Sequence, residues 1–273
     1  MQTFKAEHYE INTAKLAPGA KGPVFAVLAD LHNHVYGDDN VVLIDAVLAE
    51  EPDAVLVAGD LLVGDKKAPY TVALRLMEAL RGKGLPVFYE NGNHEQRMRL
   101  HPEIYGRAYE AYSGALKECG VVLLENEKVH FRRCGLDMVI YGYELPEKYY
   151  SRLPVKGSPA SSLKRTFGVP DEARYNILLA HNPVYFGQYA AWGADLTLSG
   201  HLHGGIIRIP GIGGLITPQA RLFPKYDAGH FQKDGRDLVV SRGLGTHTVN
   251  IRIFNPPELS IVRINGDGDR TRR

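Results

Sequence analysis

The stretch PVFAVLADLHNH, residues 23–34, passes from an unbroken apolar run straight into polar residues. Residues 24–29 read as a buried strand, since continuous apolar character over this length suits a central strand covered on both faces. Asp30 and His32 stand at its end. Alternation along an extended chain turns both to one side, where they could share a metal ion.

The same arrangement recurs four times. AVLVA (54–58) runs into Gly59-Asp60, PVFYEN (86–91) into Gly92-Asn93-His94-Glu95, NILLA (176–180) into His181, and LTLS (196–199) into Gly200-His201-Leu202-His203-Gly204-Gly205. Ligand sites in open α/β sheets gather beyond the carboxyl ends of strands, so these blocks are expected to converge. Glycine at 59 permits a close turn, and the two oxygens of Asp60 can bridge two ions. Asn93 offers a neutral carbonyl ligand, and His201 and His203 can reach neighbouring ions across a tight turn.

Between the blocks, short apolar runs alternate with longer amphipathic stretches, as βαβ units around a largely parallel sheet require. Asn40 is expected to cap a helix over 41–50, which Pro52 closes. A second helix is expected from Pro69 to Arg81, stopped by Gly82 and Gly84, and a third over 102–119. Closely spaced strands follow at 121–124, 128–133 and 138–141, suggesting hairpins. Residues 149–170 read as a surface excursion with a short helix. Further strands are expected at 176–180, 196–199, 206–209, 238–241, 250–254 and 258–263. The fold class is α/β, with two packed β-sheets flanked by helices, one domain over 1–264 and a disordered tail over 265–273.

In chain order the blocks read D-x-H, G-D, G-N-H-E, H and G-H-x-H. This series resembles the calcineurin-like metallophosphoesterases, from about residue 24 to at least His203. The resemblance implies an α/β/β/α sandwich with a metal site at one end. It implies that Asp30, His32 and His203 hold one divalent ion and that Asn93, His181 and His201 hold another, with Asp60 bridging both. Metal-bound hydroxide would then attack phosphorus in line. His94, assigned no metal, can serve the leaving oxygen as general acid or stabilise phosphoryl charge, and Glu95 could orient His94 and favour its protonated form. Mixed imidazole and oxygen donors suit manganese, iron or zinc. Four histidines make magnesium a poor fit. Two divalent ions against two carboxylates and one hydroxide leave a net positive charge for phosphate, which makes a neutral Asn93 chemically sensible.

Substrate contacts are less determined. His34 continues the period of Asp30 and His32 and is either a substrate contact or a structural residue. The segment Ser241-Arg242-Gly243-Leu244-Gly245-Thr246-His247 follows a further expected strand and could bring Arg242 or His247 to phosphate. Alternatively its glycines shape a turn while Arg242 forms a surface ion pair. Together with Asn255-Pro256-Pro257-Glu258, this segment resembles one bacterial branch of the family, often membrane-anchored or exported, with some members acting on lipid-linked diphosphates. The apolar stretch 209–223, with Ile212, Leu215, Ile216, Leu222 and Phe223, could cover a hydrophobic substrate, touch a membrane or pack into the core.

The 273 residues include 32 basic and 31 acidic ones, so no basic excess advertises extended nucleic acid as a partner. Cys119 and Cys134 lack metal-site spacing and read as small buried hydrophobes. The charged N-terminus lacks the apolar run of a signal peptide, and no stretch is long enough to span a bilayer, so a cytoplasmic location is expected. The expected activity is phosphodiester hydrolysis. Phosphomonoesterase or nucleotide and lipid pyrophosphatase activity is the alternative, ahead of nuclease action or a non-catalytic metal-binding scaffold.

Overall fold

The computed structural model describes residues 3–65, 69–151, 158–205, 207–209, 213–216, 224–246 and 252–268. Its strands are β1 (Lys5–Thr13), β2 (Lys21–Leu28), β3 (Ala54–Ala58), β4 (Val87–Glu90), β5 (Val122–Leu123), β6 (Lys128–Arg133) and β7 (Leu136–Gly142). They continue as β8 (Tyr175–Leu179), β9 (Leu196–Ser199), β10 (Ile207–Ile209), β11 (Gly213–Ile216), β12 (Gly229–Lys233), β13 (Arg236–Val240) and β14 (Glu258–Gly266). The helices are α1 (Val41–Ala49), α2 (Thr71–Gly82), α3 (Asn93–Leu100), α4 (Pro102–Tyr105), α5 (Ala108–Glu118), α6 (Ala160–Phe167) and α7 (Phe186–Trp192).

One six-stranded sheet has the order β1-β14-β2-β3-β4-β5 and the other β12-β13-β9-β8-β7-β6, with β10 and β11 as a separate pair. From β2 to β5 and from β13 to β7 all neighbours are parallel. Period-2 alternation explains the layering. Phe25 and Val27 of β2, Leu56 of β3 and Ile177 and Leu179 of β8 fill the layer between the sheets. Val24, Ala26, Leu28, Val55 and Val57 face the opposite way and pack on residues of α1, α2 and α5. On the far side Leu178 of β8 packs with Leu163 and Phe167 of α6 and Tyr189 of α7. Four layers result, helix, sheet, sheet and helix, as the apolar runs predict. Each such side chain removed from water contributes about 1.5–3 kcal/mol.

Several boundaries differ from expectation. Asn40 precedes α1 but does not cap it; its backbone is left-handed and its Oδ1 accepts instead from the Tyr36 amide at 2.9 Å. The single helix expected over 102–119 breaks at Gly106, where φ is 61°. Strands β1, β11 and β12 and helices α3 and α7 have no counterpart in the sequence reading. β14 runs on to Gly266 and the Asp267 amide donates to the Thr13 carbonyl at 3.1 Å, so the chain remains ordered past the expected start of the tail. Residues 269–273 lie outside the described residues, as do Ile212, Leu222 and Phe223. Of the strand expected at 250–254, Ile253 forms an isolated bridge with Ile207. Cys134 is exposed at the β6–β7 turn rather than buried. Among the described residues no helix is long and apolar enough to cross a membrane.

Candidate metal centre

The carboxyl ends of β2, β3, β4, β8 and β9 open onto one region, and hydrogen bonds across the two sheets fix their loops. The His201 amide donates to Asp30 Oδ2 at 2.9 Å, and His181 Nδ1 donates to the Ala58 carbonyl at 2.6 Å. Within each sheet, the Asp30 amide donates to the Gly59 carbonyl and the Gly200 amide to the His181 carbonyl, both at 3.0 Å.

The backbone turns sharply on leaving β2, β3 and β9. Asp30, His32, Asp60, His201 and His203 all have left-handed φ, at 51°, 47°, 56°, 73° and 52°. Asp30 and His32 therefore converge through this turn and not through the extended alternation that the sequence suggests. Each such residue costs on the order of 1–3 kcal/mol, so the surrounding packing holds strained backbone at this end of the sheets.

His32 Nε2 and His203 Nε2 are 3.3 Å apart, and they lie 3.6 and 3.5 Å from Asp30 Oδ1. Tetrahedral donors about 2.1 Å from one ion would be separated by roughly 3.4 Å, so this triangle has the edge length of a metal cage. Asp60 Oδ2 lies 3.0 Å from His181 Nε2, and His201 completes a second group with them. Asp60 also groups with His32 and His94. Asn93, the first residue of α3, has a buried Oδ1 with no hydrogen-bond partner. An orphaned amide oxygen beside clustered imidazoles and carboxylates is what a bound cation would satisfy, so the residues present fit metal binding.

The charges fit as well. Burial opposes ionisation of Asp30 and Asp60, but histidine charges around them, His203 first for Asp30 and His181 first for Asp60, hold both carboxyls below their ordinary range. Burial likewise opposes charge on His181, yet Asp60 and then Asp30 raise its pKa well above normal. With Nδ1 donating to Ala58 and Nε2 facing Asp60, His181 holds its proton where a cation would sit. Burial and then the His181 charge pull His201 down to about 3, leaving a neutral ring able to ligate metal.

Over residues 23–205 the sequence matches the family described as calcineurin-like phosphoesterase. The chain is a calcineurin-like phosphoesterase. It is thereby a metal-dependent phosphoric ester hydrolase. This phosphoesterase is similar to a metallophosphoesterase of Aquifex aeolicus, 29% identical over 269 residues that cover 97% of this chain and 94% of the other. It is also similar to the Escherichia coli protein named phosphodiesterase YaeI, 22% identical over 240 residues, covering 87% and 80%. Its fold resembles that of TT1561 from Thermus thermophilus, with a TM-score of 0.51 at 12% identity, covering 82% and 92% of the two chains.

The remaining candidates of this phosphoesterase divide. Glu95 is engaged at the Asp60 turn. Its carboxylate accepts from the amides of Asp60, Leu61, Leu62 and Gly92 and from the Tyr89 hydroxyl, at 2.9–3.3 Å, clamping the Asp60 turn. Arg242 pairs with two carboxylates, its Nε 3.2 Å from the fully buried Glu258 and its Nη2 3.4 Å from Glu7. Its ion pair is thus largely buried, where a surface one was the expected alternative to phosphate contact. The His34 ring packs edge-on against Tyr36 at 4.6 Å and, with Phe4, Val35 and Val42, lines a cavity of about 330 Å³ at the same end of the first sheet. His247 lies outside the described residues. Two neighbours of the site escaped the sequence reading. Tyr150 sets its ring 5.1 Å from that of His201, and Glu90, at the tip of β4, is a fully buried carboxyl with neither oxygen hydrogen-bonded.

Proposed function

We propose that this phosphoesterase hydrolyses phosphodiesters with two divalent ions, manganese, iron or zinc. In this reading Asp30, His32 and His203 surround one ion, Asn93, His181 and His201 surround the other, and Asp60 lies between them. One observation carries it: Asp60 belongs to two donor groups at once, one with His181 and His201 and another with His32 and His94. When bound, such ions make a water far more acidic and offset charge on the phosphoryl oxygens. The name of the E. coli relative supports the diester over the monoester.

The role of His94 follows from its hydrogen bonds. The Gly64 amide donates to His94 Nδ1 at 2.8 Å, which places the proton of the neutral ring on Nε2. The His94 amide in turn donates to Asp60 Oδ1 at 2.8 Å, fixing the residue beside the shared carboxylate. Nε2–H is then a neutral donor for the leaving oxygen or a nonbridging phosphoryl oxygen. Full protonation would break the Gly64 bond, so stabilisation by a hydrogen bond is favoured over release of a proton from an imidazolium. With Asp30 and Asp60 as the ionised carboxylates of the ligand set, two divalent ions leave the site positive, as an anionic diester requires.

The test is hydrolysis of bis-p-nitrophenyl phosphate by metal-loaded protein. Wild type should turn over, and His94→Ala should lower kcat on the order of 10²–10³-fold with metal content unchanged. A metal-replete wild type without activity on this diester would instead favour a binding scaffold or another ester class.

A further inference from the structure

We propose that Tyr150 contacts the substrate, its phenol O–H donating to the phosphoryl group on the His181 and His201 side of the centre. This inference rests on the phosphoesterase reading above. Tyr150 closes a one-turn 3-10 helix, Glu147–Tyr150, that follows β7. The turn is pinned on the opposite side: Tyr149 is buried with Tyr143, Leu163 and Tyr189, its ring lies edge-on to Tyr185 at 5.3 Å, and the Tyr185 hydroxyl donates to its carbonyl at 3.2 Å. His101 Nε2 adds an ion pair to Glu147 at 3.0 Å. With Tyr149 committed to the core, the next side chain projects the other way, onto the histidines. Its ring stands edge-on to His201 at 5.1 Å and tilted over His181 at 6.5 Å. The phenol itself takes no hydrogen bond from the described residues.

A tyrosine hydroxyl is a hydrogen-bond donor at neutral pH. A hydroxyl beside two candidate metal ligands, with no acceptor among the described residues, matches what a phosphoryl oxygen would complete. Glu90 is the competing acceptor, since both of its oxygens are buried and unpartnered. A phenol serving Glu90 would stabilise the protein or its metal, whereas a phenol serving substrate would change phosphate affinity alone. The two roles therefore separate experimentally.

Inorganic phosphate is the probe, titrated calorimetrically into manganese-loaded wild type, Tyr150→Phe, Glu90→Gln and the double variant. Tyr150→Phe should weaken phosphate binding on the order of 10-fold, the loss expected for one hydrogen bond to a charged group, with metal stoichiometry and Tm unchanged. It should lower kcat/KM for bis-p-nitrophenyl phosphate by about 10–100-fold. Phosphate affinity within about twofold of wild type would overturn the proposal. So would a loss of metal or Tm without a change in phosphate affinity per loaded site, or an effect that vanishes in the Glu90→Gln background. If wild type binds phosphate in a Tyr150-dependent way but hydrolyses no diester, the contact stands and the phosphodiesterase reading fails.

Discussion

The Glu95 carboxylate gathers five donors, among them the successive amides of residues 60, 61 and 62. Glutamine presents an amine where some of those amides now donate, so Glu95→Gln should cost about 1.5–3 kcal/mol and weaken metal retention, read as a lowered Tm and fewer metal equivalents after dialysis. An unchanged Tm would remove the clamp from this account. Protons should report on the site as well. His181 has a raised pKa and so carries a second ring proton in the metal-free protein, whereas His201, held near 3, is neutral at neutral pH. Ligation requires His181 to release that proton. Metal affinity should therefore rise with pH, by about tenfold per unit, until the raised pKa is passed. Calorimetric titration in two buffers of different protonation heat should show about one proton leaving per site; none would contradict the assignment. The blocks that supply the candidate ligands were legible because each lies immediately after an apolar strand. Tyr150 was not, since only the turn that buries Tyr149 carries its neighbour to His201, and sequence spacing holds no trace of that contact. Nor was the service of Glu95 to Asp60, 35 residues away.

The loop after β13 shows how an element can support a site from behind its candidate ligands. The Leu244 amide donates to the Ala29 carbonyl at 3.0 Å and the Gly245 amide to the Asp30 carbonyl at 2.6 Å, while the buried Arg252 guanidinium donates to the carbonyls of Arg242, Gly243 and Gly245. Gly243, at φ 72°, would place a Cβ 2.6 Å from that of Asp30. The loop is a wall behind the first ligand. Gly243→Ala should destabilise by about 1–3 kcal/mol and disturb metal binding even though no ligand is altered. Thermal melts with and without metal would measure both effects, and a wild-type melt would show that the wall is slack. A comparable approach occurs at Gly92, where a Cβ would lie 2.1 Å from Asp60 Oδ1. Core strands were legible wherever both faces are buried, as in β3 and β9. The missed elements lack that signature: β1 carries charges on an exposed edge, and α3, NHEQRMRL, is polar along its length and begins inside a ligand block. Glu95 at the third position of α3, accepting from the Gly92 amide, was its one available signal.

Across the whole molecule, the group that would hold a metal ion draws on both sheets, Asp60 from beyond β3 and His181 and His201 from beyond β8 and β9. Chelation should therefore lower global stability, by about 2.7 kcal/mol where free metal had stood at a hundredfold over its Kd. Scanning calorimetry before and after chelator treatment would test this, with restoration on adding metal. The near balance of 32 basic and 31 acidic residues predicts weak binding to duplex DNA at physiological salt, measurable by fluorescence anisotropy. Strand order carries another consequence, for biosynthesis. β14 lies between β1 and β2, pairing Lys5 with Glu258 and Thr13 with Gly266. At about 5–20 residues per second, a ribosome needs roughly 10 to 50 s between making those partners. Throughout that interval β1 lacks its sheet partner and β2 leaves one edge unpaired, inviting intermolecular pairing that a chaperone would have to forestall.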